Sequence, residues 1–102
     1  MDFGKAIEAL KEGKLVARKG WNGKGMFIFR QGGFVAGADS LPANVEEWFK
    51  AHIVSAGPCP NVEFVPYLCM KAADDTIVSG WLASQTDMLS DDWEIVEQPT
   101  EG

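Results

Sequence analysis

The chain has 102 residues, 46% of them apolar, with four tryptophans and a formal net charge of −6 from nine basic and fifteen acidic side chains. A length of this order makes one small domain, burying roughly 60–65% of the surface its unfolded chain exposes, and the apolar fraction excludes a disordered chain. The acidic balance speaks against general DNA, RNA or anionic-membrane binding, which needs a basic face; a small anionic ligand stays open, because a pocket needs only a few well-placed cations.

The longest apolar runs fall far short of the ~20 residues of a membrane span, and the N-terminal residues show no signal-peptide pattern. The expected location is therefore cytoplasmic. Cys59, Cys69 and the single histidine, His52, lack metal-type spacing, so neither a metal site nor a cofactor is expected and both thiols read as inert.

In chain order, Asp2 reads as a helix N-cap and Gly13 as its stop. Between them Phe3, Ala6, Ile7 and Leu10 fall on one face and Lys5, Glu8, Lys11 and Glu12 elsewhere, the pattern of an amphipathic helix of about three turns. Residues 15–19 read as a strand. Its Arg18 is either a solvated edge charge or an inward cation for an anionic ligand. Gly20-Trp21-Asn22-Gly23-Lys24-Gly25-Met26 follows. Asn-Gly is a strong turn signal, and the glycines permit positive φ or a close backbone approach to a ligand. Amides in such a loop accept a phosphate, with Lys24 adding charge; equally, the segment is an ordinary hairpin loop anchored by Trp21. It is neither a Walker A motif nor a dinucleotide fingerprint.

Residues 26–30 continue as a strand, turned by Gln31-Gly32-Gly33 into 34–36. From Gly37 to Glu63 the texture changes to an excursion from the sheet. Asn44 and Glu47 form a candidate capping box. Val45, Trp48, Phe49 and Ile53 repeat at helical spacing, predicting a short helix over about 44–53, with His52 as a cation at its C-terminal end. Gly57-Pro58-Cys59-Pro60-Asn61 closes the excursion. Residues 64–70 read as a strand in which Pro66 marks an edge or bulge. Ala73-Asp74-Asp75 reads as a hairpin turn, with Asp74 and Asp75 as turn formers, and 76–82 as the returning strand.

Gly80 to Trp93 reads G-W-L-A-S-Q-T-D-M-L-S-D-D-W. Here Ser84 or Thr86 caps one helical turn that carries Gln85 and Asp87, with Met88 and Leu89 expected to face inward. A rigid hydroxyl, amide and carboxylate beside two indoles suit a planar, polar ligand better than covalent chemistry; the alternative is that Trp81, Leu82, Leu89 and Trp93 are plain core. Asp91 and Asp92 read as solvated carboxylates before a last strand, 93–96, and 97–102 as a loose tail. The expected fold is α+β: the N-terminal amphipathic helix packed on a single antiparallel sheet of about five strands, with a short helical insertion, in one domain over 1–96.

Nucleophilic hydrolysis needs a nucleophile, a base and an orienter in reach. The only histidine lies in the excursion and no G-x-S-x-G elbow is present. The carboxylates Asp87, Asp91 and Asp92 leave acid/base chemistry formally open. Binding is the favoured reading.

The blocks F-G-K-A-I-E-A-L-K-E-G-K, G-W-N-G-K-G-M, P-Y-L-C-M-K-A-A-D-D-T-I-V and G-W-L-A-S-Q-T-D-M-L-S-D-D-W, in this order, resemble a family of small phage and prophage domains, the second of the Thoeris anti-defence families. The likeness covers about residues 2–36 and 64–96. It implies a molecular sponge that binds, without cleaving, the cyclic ADP-ribose isomer made by TIR-domain proteins of Thoeris immunity. It also implies, for some members, binding of cyclic oligonucleotide signals of cGAS-like (CBASS) systems. Such proteins are understood to be homotetramers, dimers of dimers, with pockets where subunits meet. By motif, the residues carried across are Trp21, Asn22, Lys24, Gly25 and Met26 from one block and Trp81, Ser84, Gln85, Asp87 and Met88 from the other.

The chemistry of these residues fits that implication. An adenine ring stacks on tryptophan, at about 1–3 kcal/mol per base. Asp87 suits ribose hydroxyls, Asn22, Gln85 and Ser84 suit base or sugar edges, and Arg18, Lys24 and the loop amides suit a diphosphate. Two rival readings remain: a decoy that binds a defence protein through exposed tryptophans, and a phosphodiesterase acting on the same signals.

Overall fold

The structure, a computed structural model, describes residues 1–21, 23–52 and 60–97. Asn22, residues 53–59 and residues 98–102 lie outside this description, and with them the expectations placed on Asn22, Ile53, Cys59 and most of the C-terminal tail. The elements are helix α1 (Phe3–Lys11), strands β1 (Leu15–Arg18), β2 (Phe27–Gln31) and β3 (Phe34–Gly37), a 3-10 turn (Ala38–Ser40), helix α2 (Ala43–His52), strands β4 (Asn61–Phe64), β5 (Tyr67–Lys71) and β6 (Ile77–Ser79), helix α3 (Gln85–Leu89) and strand β7 (Trp93–Val96). The fold is α+β, as the sequence predicts. Internal contacts divide the chain into two units, Met1–Gln31 together with the chain from Tyr67 onward, and Gly32–Pro66.

In the first unit α1 begins and ends where its sequence says it does. The Asp2 carboxylate accepts the Lys5 N–H at 2.9 Å, satisfying one of the first-turn donors that have no helical partner. At the other end Gly13 adopts φ +87°, and the Gly13 and Lys14 amides return to the Leu10 and Ala9 carbonyls, each at 3.0 Å. This closure needs a left-handed residue, which glycine supplies without a Cβ clash. The helix buries Ala6, Ala9 and Leu10 against Val16, Ile28 and Trp93. Each large apolar side chain so buried stabilises the fold by about 1.5–3 kcal/mol.

The sheet beneath α1 has the order β6-β5-β2-β1-β7, antiparallel throughout. Its register sets Val16 opposite Ile28 and Ile95, and Ile28 opposite Met70. These residues therefore share one face, and Val16 and Ile28 are fully buried there. The same register brings Arg18, at the end of β1, opposite Trp93, at the start of β7. The β5–β6 turn forms as read. Asp74 accepts the Thr76 N–H and hydroxyl at 3.1 and 2.7 Å, while Asp75 takes φ +69°.

The single sheet expected from the sequence is two sheets. The predicted strand over 64–70 is cut at Val65-Pro66, so Phe64 ends β4 and Tyr67 opens β5. Proline has no N–H to give a ladder, and here it separates two ladders rather than marking a bulge in one. In the second unit β3 pairs antiparallel with β4, Phe34 opposite Phe64 and Gly37 opposite Asn61. Phe34 and Phe64 stack at 4.6 Å. A Cβ on Gly33 would sit 2.8 Å from the Phe64 carbonyl oxygen, so the chain closes on itself there only as glycine. Helix α2 begins at Ala43, on the Pro42 carbonyl, which puts Asn44 inside the first turn rather than at its cap. His52 lies in the last turn as expected, its ring stacked on Trp48 at 4.5 Å.

Candidate ligand-binding site

Between β6 and β7 the chain makes the helical turn that the sequence foretells, capped by Ser84. Its Oγ accepts the Asp87 N–H at 3.0 Å, and Asp87 Oδ2 accepts the Ser84 N–H at 3.1 Å. This is a reciprocal capping box built with aspartate. A helix of five residues is too short to persist on its own propensity, so tertiary contacts must hold it. They do so through Asp87 and not through Met88 and Leu89, which were expected to face inward. Those two are 45% and 85% exposed, whereas Asp87 is 9% exposed. The backbone carbonyl of Asp87 accepts the indole N–H of buried Trp93 at 2.9 Å.

The Asp87 carboxylate is the centre of a wider network. Oδ1 accepts Arg18 Nη1–H at 2.8 Å and the Trp21 indole N–H at 3.2 Å. Arg18 Nε–H donates to Asp92 Oδ1 at 2.9 Å, and Asp92 Oδ2 accepts the Gly20 N–H at 2.8 Å. The sequence suggested two solvated carboxylates at positions 91 and 92. Asp91 is exposed, but Asp92 is drawn in by the guanidinium. Arg18 is accordingly neither a solvated edge charge nor an uncommitted cation: its side chain is 13% exposed and holds two carboxylates.

The charges of this group reinforce one another. Burial opposes ionisation of Asp87, yet the Arg18 hydrogen bond, the Ser84 amide and the Trp21 indole outweigh it and hold its carboxyl below the usual carboxylate range. The Arg18 hydrogen bond, aided by the Gly20 amide against some desolvation, does the same for Asp92. Asp92 and then Asp87 raise Arg18 in return. Both carboxylates are thus held ionised, which disfavours either as a proton donor near neutral pH. One cation against two anions also leaves the group net negative.

Around the network stand the indoles. Trp21 and Trp81 lie 6.3 Å apart, edge to face, and each meets Trp93, at 5.4 and 6.3 Å. Trp93 is buried, Trp21 and Trp81 half-buried. The structure therefore brings together Arg18, Trp21, Trp81, Ser84 and Asp87. Gln85 and Met88 are on the exposed side of α3. The tip of the glycine loop is held by other residues. Lys71 Nζ donates to the Gly25 carbonyl at 2.9 Å, the Met26 sulfur lies over Gly23, and a Cβ on Gly23 would come within 3.0 Å of Ala73. Lys24 is exposed. Sequence reasoning left Asp92 and Gly20 out of the ligand-binding set; only the pairing of β1 with β7 puts Asp92 beside Arg18 and Gly20.

A family model described as the Thoeris anti-defense 2-like domain matches residues 1–96. The chain is also 40% identical over 96 residues to Thoeris anti-defense 2 of Bacillus phage SP01, covering 94% of this chain and 94% of that protein. The match spans the glycine loop, the Arg18–Asp87–Asp92 network and the tryptophans alike, and on it the chain belongs to the Thoeris anti-defense 2-like family.

Proposed function

We propose that the chain is an anti-defence sponge that binds the TIR-derived cyclic ADP-ribose isomer of Thoeris immunity and holds it without cleaving it. Cyclic di- or trinucleotides of CBASS-type systems form a second candidate ligand class. The observation that carries the reading is the pair of half-buried indoles, Trp21 and Trp81, fixed 6.3 Å apart beside carboxylates that Arg18 keeps ionised. Flat apolar rings offer a base a stacking surface, and locked, paired carboxylates favour retention over acid/base turnover. A nanomolar Kd corresponds to about −12 kcal/mol, within reach of stacked rings and charge-assisted bonds in a closed pocket. On this reading Lys24, Gly25, Met26, Gln85 and Met88 contribute from the open side.

The working form is a homotetramer, a dimer of dimers, acting in the cytoplasm of the infected bacterium. Leu82 and Leu89 are 90% and 85% exposed, and side chains so open beside α3 favour a subunit contact that covers them. Purified protein incubated with the cyclic ADP-ribose isomer, filtered and then heat-denatured tests the reading by mass spectrometry of each fraction. Depletion from the filtrate with intact ligand recovered on denaturation is the expected result. An altered mass makes the protein an enzyme, and no depletion of that ligand or of a cyclic oligonucleotide panel turns the search to protein partners.

A further inference from the structure

Arg18 has the wrong surroundings for a cation that receives a phosphate. Nη1 is occupied by Asp87 and Nε by Asp92, and Nη2 faces Asp92 Oδ2 at 3.5 Å. An anion arriving there meets a group that already carries more negative than positive charge. What the guanidinium does reach, through its two carboxylates, is the start of the glycine loop. Asp92 holds the Gly20 amide and Asp87 holds the Trp21 indole. The Arg18 carbonyl takes the Trp21 N–H at 3.3 Å, and the Asp92 carbonyl takes the Lys19 N–H at 3.1 Å. Each residue from 19 to 21 is therefore tied to a member of the network. The fit is close: a Cβ on Gly20 would lie 2.8 Å from Asp92 Oδ2 and 3.2 Å from Arg18 Nη2.

We propose that Arg18 and Asp92 are positioning residues of the ligand site, a clamp that sets the first turn of the glycine loop and the plane of the Trp21 indole without touching ligand. This rests on the sponge reading for what the site binds, but not for the clamp itself. Stacking demands a ring fixed in plane, and an indole held by its own N–H loses its freedom to rotate before the ligand arrives. Pre-set geometry of this kind raises affinity by removing an ordering cost from the binding step.

Asp92→Ala separates positioning from direct contact by sign. The substitution removes a negative charge and releases the guanidinium, so electrostatics alone tightens binding of an anionic ligand. The clamp predicts the reverse. Binding of the cyclic ADP-ribose isomer by calorimetry, well below the melting temperature of each variant, weakens by about tenfold, the scale of one charge-assisted hydrogen bond. Asp92→Asn, which keeps an oxygen for the Gly20 amide, recovers part of the loss. In the same variants the Trp21 indole N–H resonance, assigned by Trp21→Phe, shifts or broadens. Gly20→Ala, which strains the clamp from the loop side, gives the same two effects should Asp92→Ala fail to fold.

Unchanged or tighter binding by folded Asp92→Ala overturns the proposal, and tighter binding points instead to Arg18 as a direct ligand contact. If the parent protein binds no cyclic ADP-ribose isomer, the sponge reading falls alone, and the clamp is judged on the Trp21 resonance: an unmoved resonance in Asp92→Ala overturns it.

Discussion

Asp87 and Arg18, 69 positions apart in sequence, meet at 2.8 Å through one carboxylate oxygen, and the same oxygen receives the Trp21 indole N–H at 3.2 Å. A single atom thus joins the end of β1, the glycine loop and α3. Together with the Asp87 carbonyl, which accepts the Trp93 indole N–H at 2.9 Å, it holds a helix of one turn in place although Met88 and Leu89 face solvent. The other Asp87 oxygen closes the capping box. Three of the roughly four acceptor sites of this carboxylate are already in use within the fold.

Asp87→Asn therefore lowers stability. From the sequence, such a change looks like a clean removal of a ligand contact with little thermal effect; with the internal bonds in place the expectation reverses. The amide cannot accept from Arg18, Trp21 and Ser84 together, and Arg18 loses one of its two counter-charges. A cost of about 2 kcal/mol follows, or a fall in Tm of about 10 °C for a chain of this size. Differential scanning calorimetry of the two proteins checks it, and equal melting temperatures would show the bonds to be energetically idle.

Acid should loosen the same network. Asp87 and Asp92 titrate lower in the folded chain than in the unfolded one, so the stability they contribute is complete above the ordinary carboxylate value of about 3.9 and drains away as pH falls through it toward the depressed folded values. Arg18, raised above its ordinary value, contributes at every lower pH and is lost only in strong alkali. Urea midpoints should stay level from about pH 7 to 5 and drop below about pH 4. The Asp87→Asn/Asp92→Asn double variant, less stable throughout, should lose less on acidification. Asp74, also depressed through its bonds to Thr76, leaves the double variant some acid slope. An unaltered slope would place the acid sensitivity elsewhere.

What the sequence disclosed and what it withheld divide along a physical line. Local signals were legible: the Asp2 cap, the Gly13 stop, the Ser84 turn, the Asp74 hairpin and the helix of the excursion all form within a residue or so of where the pattern puts them. Each depends on neighbours a few positions away. Pairing was not legible. The short apolar run of 34–36 fits any ladder, and nothing in it says that β3 joins β4 rather than β2. In sequence Pro66 looks like a disturbance within one strand, because its separating role appears only once two sheets exist. Asp92 looked solvated because its partner, Arg18, is 74 residues away, and the β1–β7 register that unites them is tertiary. Of the expected ligand residues, the sequence grouped by motif; the fold regroups them, with Trp21 beside Asp87 and Gly25 beside Lys71.

Gly13→Ala tests one of the local signals. Alanine at φ +87° strains the backbone that closes α1, and nothing crowds the added methyl, so the effect isolates conformation from packing. A loss of about 1 kcal/mol is expected, read as a lower urea midpoint at constant slope. A changed slope would instead point to an altered unfolded state.

The exposed leucines give the sharpest test of assembly. Leu82 and Leu89 contribute almost nothing to the packing of a single chain, being 90% and 85% exposed, so Leu82→Ser and Leu89→Ser made together should change the stability of an isolated subunit by no more than about 1 kcal/mol. If they lie in a subunit contact, the same pair exposes hydroxyls to a surface that wants apolar cover, and the contact weakens. Sedimentation equilibrium should show the parent as a tetramer and the double variant as a smaller species with an unchanged far-ultraviolet spectrum. Apparent Tm of the parent should rise with protein concentration and that dependence should shrink in the double variant, since dissociation and unfolding are linked by mass action. A parent that sediments as a monomer overturns the proposed assembly. A variant that stays tetrameric moves the contact off the α3 surface.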